Sequence, residues 1–109
     1  MLFDTHAHLN DEQFDNDREQ LLSDIRNMGC YVEIGTDIAS SVAAADLADK
    51  YDFVYAAAGI YPHCTADITM ADIDSLREIC RRPKVTAIGE IGLDYHYDDT
   101  APEVQRKWF

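Results

Sequence analysis

The sequence predicts an α/β fold with parallel strands, on two observations. Four short apolar, β-rich runs recur along its 109 residues, and segments of helical spacing alternate with them. The runs are nearly continuous instead of strictly alternating, as expected of parallel strands covered on both faces.

The first run is Leu2-Phe3, leading into His6 and His8. Residues 15–28 then place Leu21, Ile25 and Met28 on one helical face, with Gly29 as the stop. CYVEIG (30–35) is the second strand. Residues 37–50 follow as a helix with Ala43, Leu47 and Tyr51 on one face and Thr36 or Asp37 as N-cap. FVYAAAG (53–59) is the third strand. Residues 70–82 group Ile73, Leu76 and Cys80 on a helix capped by Thr69 and closed by Pro83. KVTAIGE (84–90) is the fourth strand, and TAPEVQRKWF (100–109) opens a further helix. There Thr100 and Glu103 fit a capping box, and Pro102 sits in the first turn.

Four βα units, the last running out within its helix, predict one domain over 1–109. It corresponds to roughly the N-terminal half of an eight-fold (β/α) TIM-type barrel, a fold of about 250 residues. The alternative is a small four-stranded α/β domain. As a half-barrel the chain would expose strand edges and apolar faces and would be prone to self-association, whereas a full-length form is expected to be monomeric.

The formal net charge is −12, from 21 acidic and 9 basic residues. Such a charge argues against a partner held by general electrostatic attraction to phosphates, which needs a basic surface. An acidic chain can still handle phosphates when bound metal ions supply the positive charge. No apolar run is long enough for a membrane span, and no secretory leader pattern opens the chain. Cys30, Cys64 and Cys80 form no CxxC pair and no disulfide framework, so a reducing, cytoplasmic setting is expected. Cys30 and Cys80 read as core fillers. There is no Gly-rich phosphate loop and no GxSxG.

Two of the four histidines lie at His6 and His8. Residues two apart on a strand share a face, so both imidazoles point one way at the strand's C-terminal end, where barrel active sites are built. One reading is a metal-ligating pair, with Asp4 on the same parity as a supporting acceptor; the other is two surface histidines. Glu90 ends the fourth strand, where a carboxylate can bridge metals, act as a base, or face solvent. Gly89 and Gly92 beside it leave room for close approach. His63, in the turn stiffened by Pro62, is a candidate for contacting substrate or phosphate, against a solvent-facing histidine. Asp94 is a candidate loop anchor or metal neighbour. His96, Asp98 and Asp99 read as a solvated acidic loop.

Taken together, FDTHAHLN (3–10), AAGIYPH (57–63) and AIGEIGLDY (87–95) resemble the TatD family of metal-dependent deoxyribonucleases, within the amidohydrolase-like (β/α) barrels. The resemblance runs over the whole chain and corresponds to the first half or so of such a protein. It implies a hydrolase that cleaves DNA phosphodiesters with water activated by two divalent ions, Mg²⁺, Mn²⁺ or Zn²⁺. His6, His8 and Glu90 match the family's metal ligands, and Glu90 its metal-bridging, catalytic carboxylate. His63 matches the second histidine of a His-Pro-His segment that faces substrate, as a further catalytic candidate. Tyr61 stands where that segment has its first histidine, and Asp94 completes the substrate-facing set. The family's remaining ligands, two histidines and an aspartate from later strands, have no counterpart here. These residues alone are therefore expected to bind two metals weakly or not at all, and to lack nuclease activity. The competing expectations are a related amidohydrolase acting on an amide or ester, and a non-catalytic metal-binding half-barrel.

Overall fold

A computed structural model describes residues Met1–Phe109. Four strands, β1 (Leu2–Ala7), β2 (Gly29–Ile34), β3 (Val54–Ala58) and β4 (Val85–Ile88), pair in parallel in the order β1-β2-β3-β4. Helices α1 (Arg18–Met28), α2 (Ile38–Lys50) and α3 (Met70–Ile79) make the crossovers, and α4 (Pro102–Trp108) follows β4. Single 3₁₀ turns, Glu12–Phe14 and Pro62–Cys64, lie in the loops after β1 and β3. No helix is long and apolar enough to cross a membrane.

The core sits between the sheet and its helices. Tyr31, Val54 and Ala56 face Leu22 of α1 and Ala44 and Ala48 of α2, with Leu9 and Phe53 closing the ends. Ala45, Ala58 and Ile79 tie α2, β3 and α3 together. The opposite face carries Val32, Ile34 and Ala57. Small residues on α2 let that helix lie close to β3, and buried Ser41 fastens the pair. Its hydroxyl donates to the Gly59 carbonyl (3.2 Å) and accepts from the Gly59 N–H (3.1 Å).

Several local expectations are corrected. On α1 the buried residue is Leu22; Leu21 and Ile25 are half-buried and Met28 is exposed. On α2 the buried stripe is Ser41, Ala44, Ala45 and Ala48, and Ala43 faces solvent. On α3 the buried residue is Ile79, while Ile73, Leu76 and Cys80 are half-buried along an apolar groove that Trp108 and Phe109 also line. Cys30 is likewise half-buried. Gly29 does stop α1, as expected, with an extended backbone from which β2 begins. A Cβ at Gly29 would lie 1.8 Å from the Leu2 carbonyl oxygen, so the glycine is required by the close pairing of β1 with β2. Thr100 does not cap α4. Ala101 is the N-cap, and the Thr100 hydroxyl donates to the His63 carbonyl instead (3.2 Å). Finally, only the middle strands are covered on both faces; β1 is exposed along nearly its whole length, and so is β4 after Val85.

Candidate metal centre

β1 and β4 lie at opposite edges of the sheet. On a flat sheet three strand spacings, about 14 Å, would separate them. Yet the His6 Nε2 and His8 Nε2 atoms lie 3.7 and 3.4 Å from Glu90 Oε2, and 3.1 Å from each other. The sheet therefore curls, and the C-terminal ends of its outer strands converge on the inner face. His6, His8 and Glu90 form a constellation of three metal-competent donors, all within 4.8 Å of one another. Glu90 Oε2 is buried with no hydrogen-bond donor, although it faces two ring nitrogens. A buried carboxylate oxygen without a donor, beside two imidazoles, suits a divalent cation.

A register shift explains the histidines' direction and corrects the place expected for Asp4. Asp4 pairs with Tyr31 and Ala7 with Glu33, so an extra residue is accommodated between them. Asp4 and Ala7 thus share the face of Tyr31 and Glu33, and the histidines flanking Ala7 point to the other. The Asp4 carboxylate accepts from the backbone N–H of His6 (2.9 Å) and supports the bulge, not an imidazole ring.

His63 is brought to a neighbouring place, outside the three-donor constellation. Its side chain is 7% exposed, and Nε2 lies 3.3 Å from Asp94 Oδ2; neither ring nitrogen has a hydrogen-bond partner, and both are buried. The rings of Tyr61 and Tyr97 flank it at 5.4 and 5.7 Å between centroids. The Tyr61 hydroxyl donates to Asp94 Oδ2 (3.0 Å). The His96 backbone N–H, and after it the Tyr61 hydroxyl and His63, hold the Asp94 carboxyl below its ordinary range; the Asp94 carboxylate raises Tyr61 above its own. Asp94 is the anchor of the loop after β4. His96, Asp98 and Asp99 are exposed, as expected of a solvated loop. A Cβ at Gly89 or Gly92 would meet nothing within 4 Å, so the room expected there is open space.

Three supporting residues carry no motif. Gln105, 1% exposed on α4, accepts from the Asp94 N–H (2.8 Å) and donates to the carbonyls of Asp94 (2.9 Å) and Thr100 (2.8 Å). Glu33, also 1% exposed, accepts from the backbone N–H groups of Leu9 (3.0 Å) and Asn10 (2.9 Å). Arg18 donates to the carbonyls of Leu9, Asn10 and Asp11.

Fold and site together define a parallel βα array with a metal-competent centre at the C-terminal ends of its strands. The family model described as TatD related DNase matches residues 3–109, and the chain belongs to that family. It is 40% identical to the uncharacterized metal-dependent hydrolase YabD of Bacillus subtilis, over 100% of this chain and 44% of that protein. It is 31% identical to the 3'-5' ssDNA/RNA exonuclease TatD of Escherichia coli, over 99% of this chain and 42% of that protein. Among solved structures it superimposes on YJJV, a TatD homolog from Escherichia coli, with a TM-score of 0.84 and 30% identity, over 97% of this chain and 42% of that one. The fold is thus about the first four βα units of a (β/α) TIM-type barrel, and the chain spans less than half the length of the relatives it matches.

Proposed function

We propose that this chain forms one wall of the metal site of a hydrolase that cleaves phosphodiester bonds in DNA. The convergence of His6, His8 and Glu90 from opposite sheet edges carries this reading. The two Nε2 atoms and the Glu90 carboxylate would hold a divalent cation, and the Glu90 carboxylate would be shared with a second if one binds. Such cations (Mg²⁺, Mn²⁺ or Zn²⁺) supply Lewis acidity toward a phosphoryl oxygen and a lowered pKa for the attacking water. They also offset the acidic rim of a chain with net charge −12.

The chain's own residues then orient the substrate. His63 would offer a ring nitrogen to a phosphate oxygen that enters beside it: both ring nitrogens are buried without a hydrogen-bond partner, and Asp94 Oδ2 lies 3.3 Å from Nε2. Tyr61 already donates its proton to Asp94, so it sets the carboxylate and lines the site and is not free to donate to phosphate. One relative's name, a metal-dependent hydrolase, supports metal-assisted hydrolysis, and the other's, an ssDNA/RNA exonuclease, favours nucleic acid over an amide or ester as substrate. Three free cysteines fit a reducing cytoplasm.

The test is a chimera in which residues 3–109 replace the matched segment of the E. coli exonuclease. It should degrade labelled single-stranded DNA with Mg²⁺ or Mn²⁺, and Glu90→Gln should lower the rate by about 100-fold. A folded chimera that spares DNA and hydrolyses an amide or ester would reverse the assignment. The 109 residues alone should not cleave. Robust cleavage that disappears in the His6→Ala/His8→Ala variant would show the site to be sufficient as it stands.

For the chain by itself, the exposure of β1 and β4 favours a non-catalytic half-barrel that binds metal weakly and self-associates. Light scattering should then report a dimer or larger species. A monomer at all concentrations would remove that reading.

A further inference from the structure

Glu33 stands at a position where the fold calls for an apolar side chain. It shares the helix-facing side of β2 with Tyr31, is 1% exposed, and belongs to none of the chain's ion pairs. A carboxylate buried without a cation is costly and persists where hydrogen bonds hold it. Both of its hydrogen bonds go to one place, the N–H groups of Leu9 and Asn10, the two residues directly after His8. Those two N–H groups also work against the rise that burial imposes on the Glu33 carboxyl.

The other side of the same turn is held by an opposite charge. Arg18 Nε donates to the Leu9 carbonyl (2.6 Å), and Nη2 donates to the carbonyls of Asn10 (3.2 Å) and Asp11 (2.9 Å). Asp15 braces that guanidinium at 2.6 Å. The peptide units after His8 are thus gripped through their N–H groups from beneath and through their C=O groups from above. The polar contacts of the His8 ring are with His6 and Glu90, the other two members of the site, and outside the site only the His8 carbonyl is held, by the Asp11 N–H (3.1 Å).

We propose that Glu33 is a positioning residue for the metal centre: by holding the Leu9 and Asn10 amides, with Arg18 on the carbonyl side, it fixes the chain direction that presents His8 Nε2 to His6 and Glu90. The inference rests on the reading of His6, His8 and Glu90 as a cation site. Supporting groups of this kind typically set metal affinity by about 10–100-fold.

The experiment is a Co²⁺ titration of the chimera carrying residues 3–109, followed by visible absorption, with hydrogen exchange of the Leu9 and Asn10 amides read on the metal-free protein. Glu33→Gln turns an amide N–H₂ toward one of the two backbone N–H groups. It should weaken Co²⁺ binding by about tenfold or more, alter the absorption band, and speed exchange at the amide it abandons. Arg18→Met, at the more solvent-exposed side of the turn, should act in the same direction and serves if Glu33→Gln does not fold. Leu22→Ala is the control for stability alone: it should lower the melting temperature and leave the Co²⁺ dissociation constant within about twofold. Wild-type affinity and spectrum in a folded Glu33→Gln, or in Arg18→Met where that variant stands in for it, would overturn the proposal and leave the metal site intact. A chimera with residues 3–109 unaltered that takes up no Co²⁺ would instead remove the metal reading and this inference with it.

Discussion

The middle and outer strands of this sheet differ in what surrounds them. Tyr31, Val54, Ala56 and Ala58 of β2 and β3 are at most 1% exposed, whereas Phe3 of β1 and Ile88 of β4 are 56% and 63% exposed. The chemistry follows the opposite distribution. His6 and His8 come from β1, and Glu90 lies just beyond β4, so the centre straddles the two least covered strands. Stability is concentrated in β2, β3 and the helices α1 and α2, and the site hangs from the ends of the edges. The curl of the sheet joins the two regions. Its middle is packed well enough to fix the curvature, and that curvature brings distant edges to one point.

This division can be probed by substitutions that act on one region alone. The largest effect belongs to the middle. Leu22→Ala deletes a 1%-exposed side chain from the main core and should cost about 3 kcal/mol, seen as a lower urea midpoint with an unchanged slope. If Co²⁺ affinity fell in step with stability, core and site would not be separable.

A smaller effect belongs to the loop after β4, through pH. Asp94 is held below its ordinary value of 3.8, chiefly by the His96 N–H. A depressed carboxyl contributes stability that is present above its unfolded value and is lost as pH falls through the folded value. Asp94→Asn should therefore be less stable than wild type near neutral pH, and the gap should narrow as pH drops below 3.8. Denaturation curves from about pH 7 to about pH 2.5 read this directly. A gap that stays constant over that range would assign the loop's anchoring to other bonds.

The order of elements and the three ligand candidates were legible in the sequence because they depend on local spacing. Apolar runs mark strands, i/i+2 parity pairs His6 with His8, and Glu90 marks a strand end. What local spacing misses is non-local. The bulge that turns Asp4 away from the histidines exists only in the pairing of β1 with β2. Glu33 acts on residues 23 and 24 positions away, and the Thr100 hydroxyl reaches the His63 carbonyl 37 positions away. Gln105 works 11 positions from Asp94, beyond the reach of a helix-face pattern. The helix faces escape local spacing for a related reason. Five of the 13 residues of α2 are alanine, so hydrophobicity alone does not say which side meets β3. The close approach to that strand selects Ser41, Ala44, Ala45 and Ala48.

The central claim is that opposite edges of the sheet hold one cation together. A double-mutant cycle in Co²⁺ binding tests it most directly, using wild type, His8→Ala, Glu90→Gln and the pair. If β1 and β4 share one ion, each single change should remove most of the affinity and the pair should lose little more, a coupling well outside the about 0.5 kcal/mol expected of independent sites. Losses that simply add, or a Glu90→Gln variant that binds like wild type, would contradict the account.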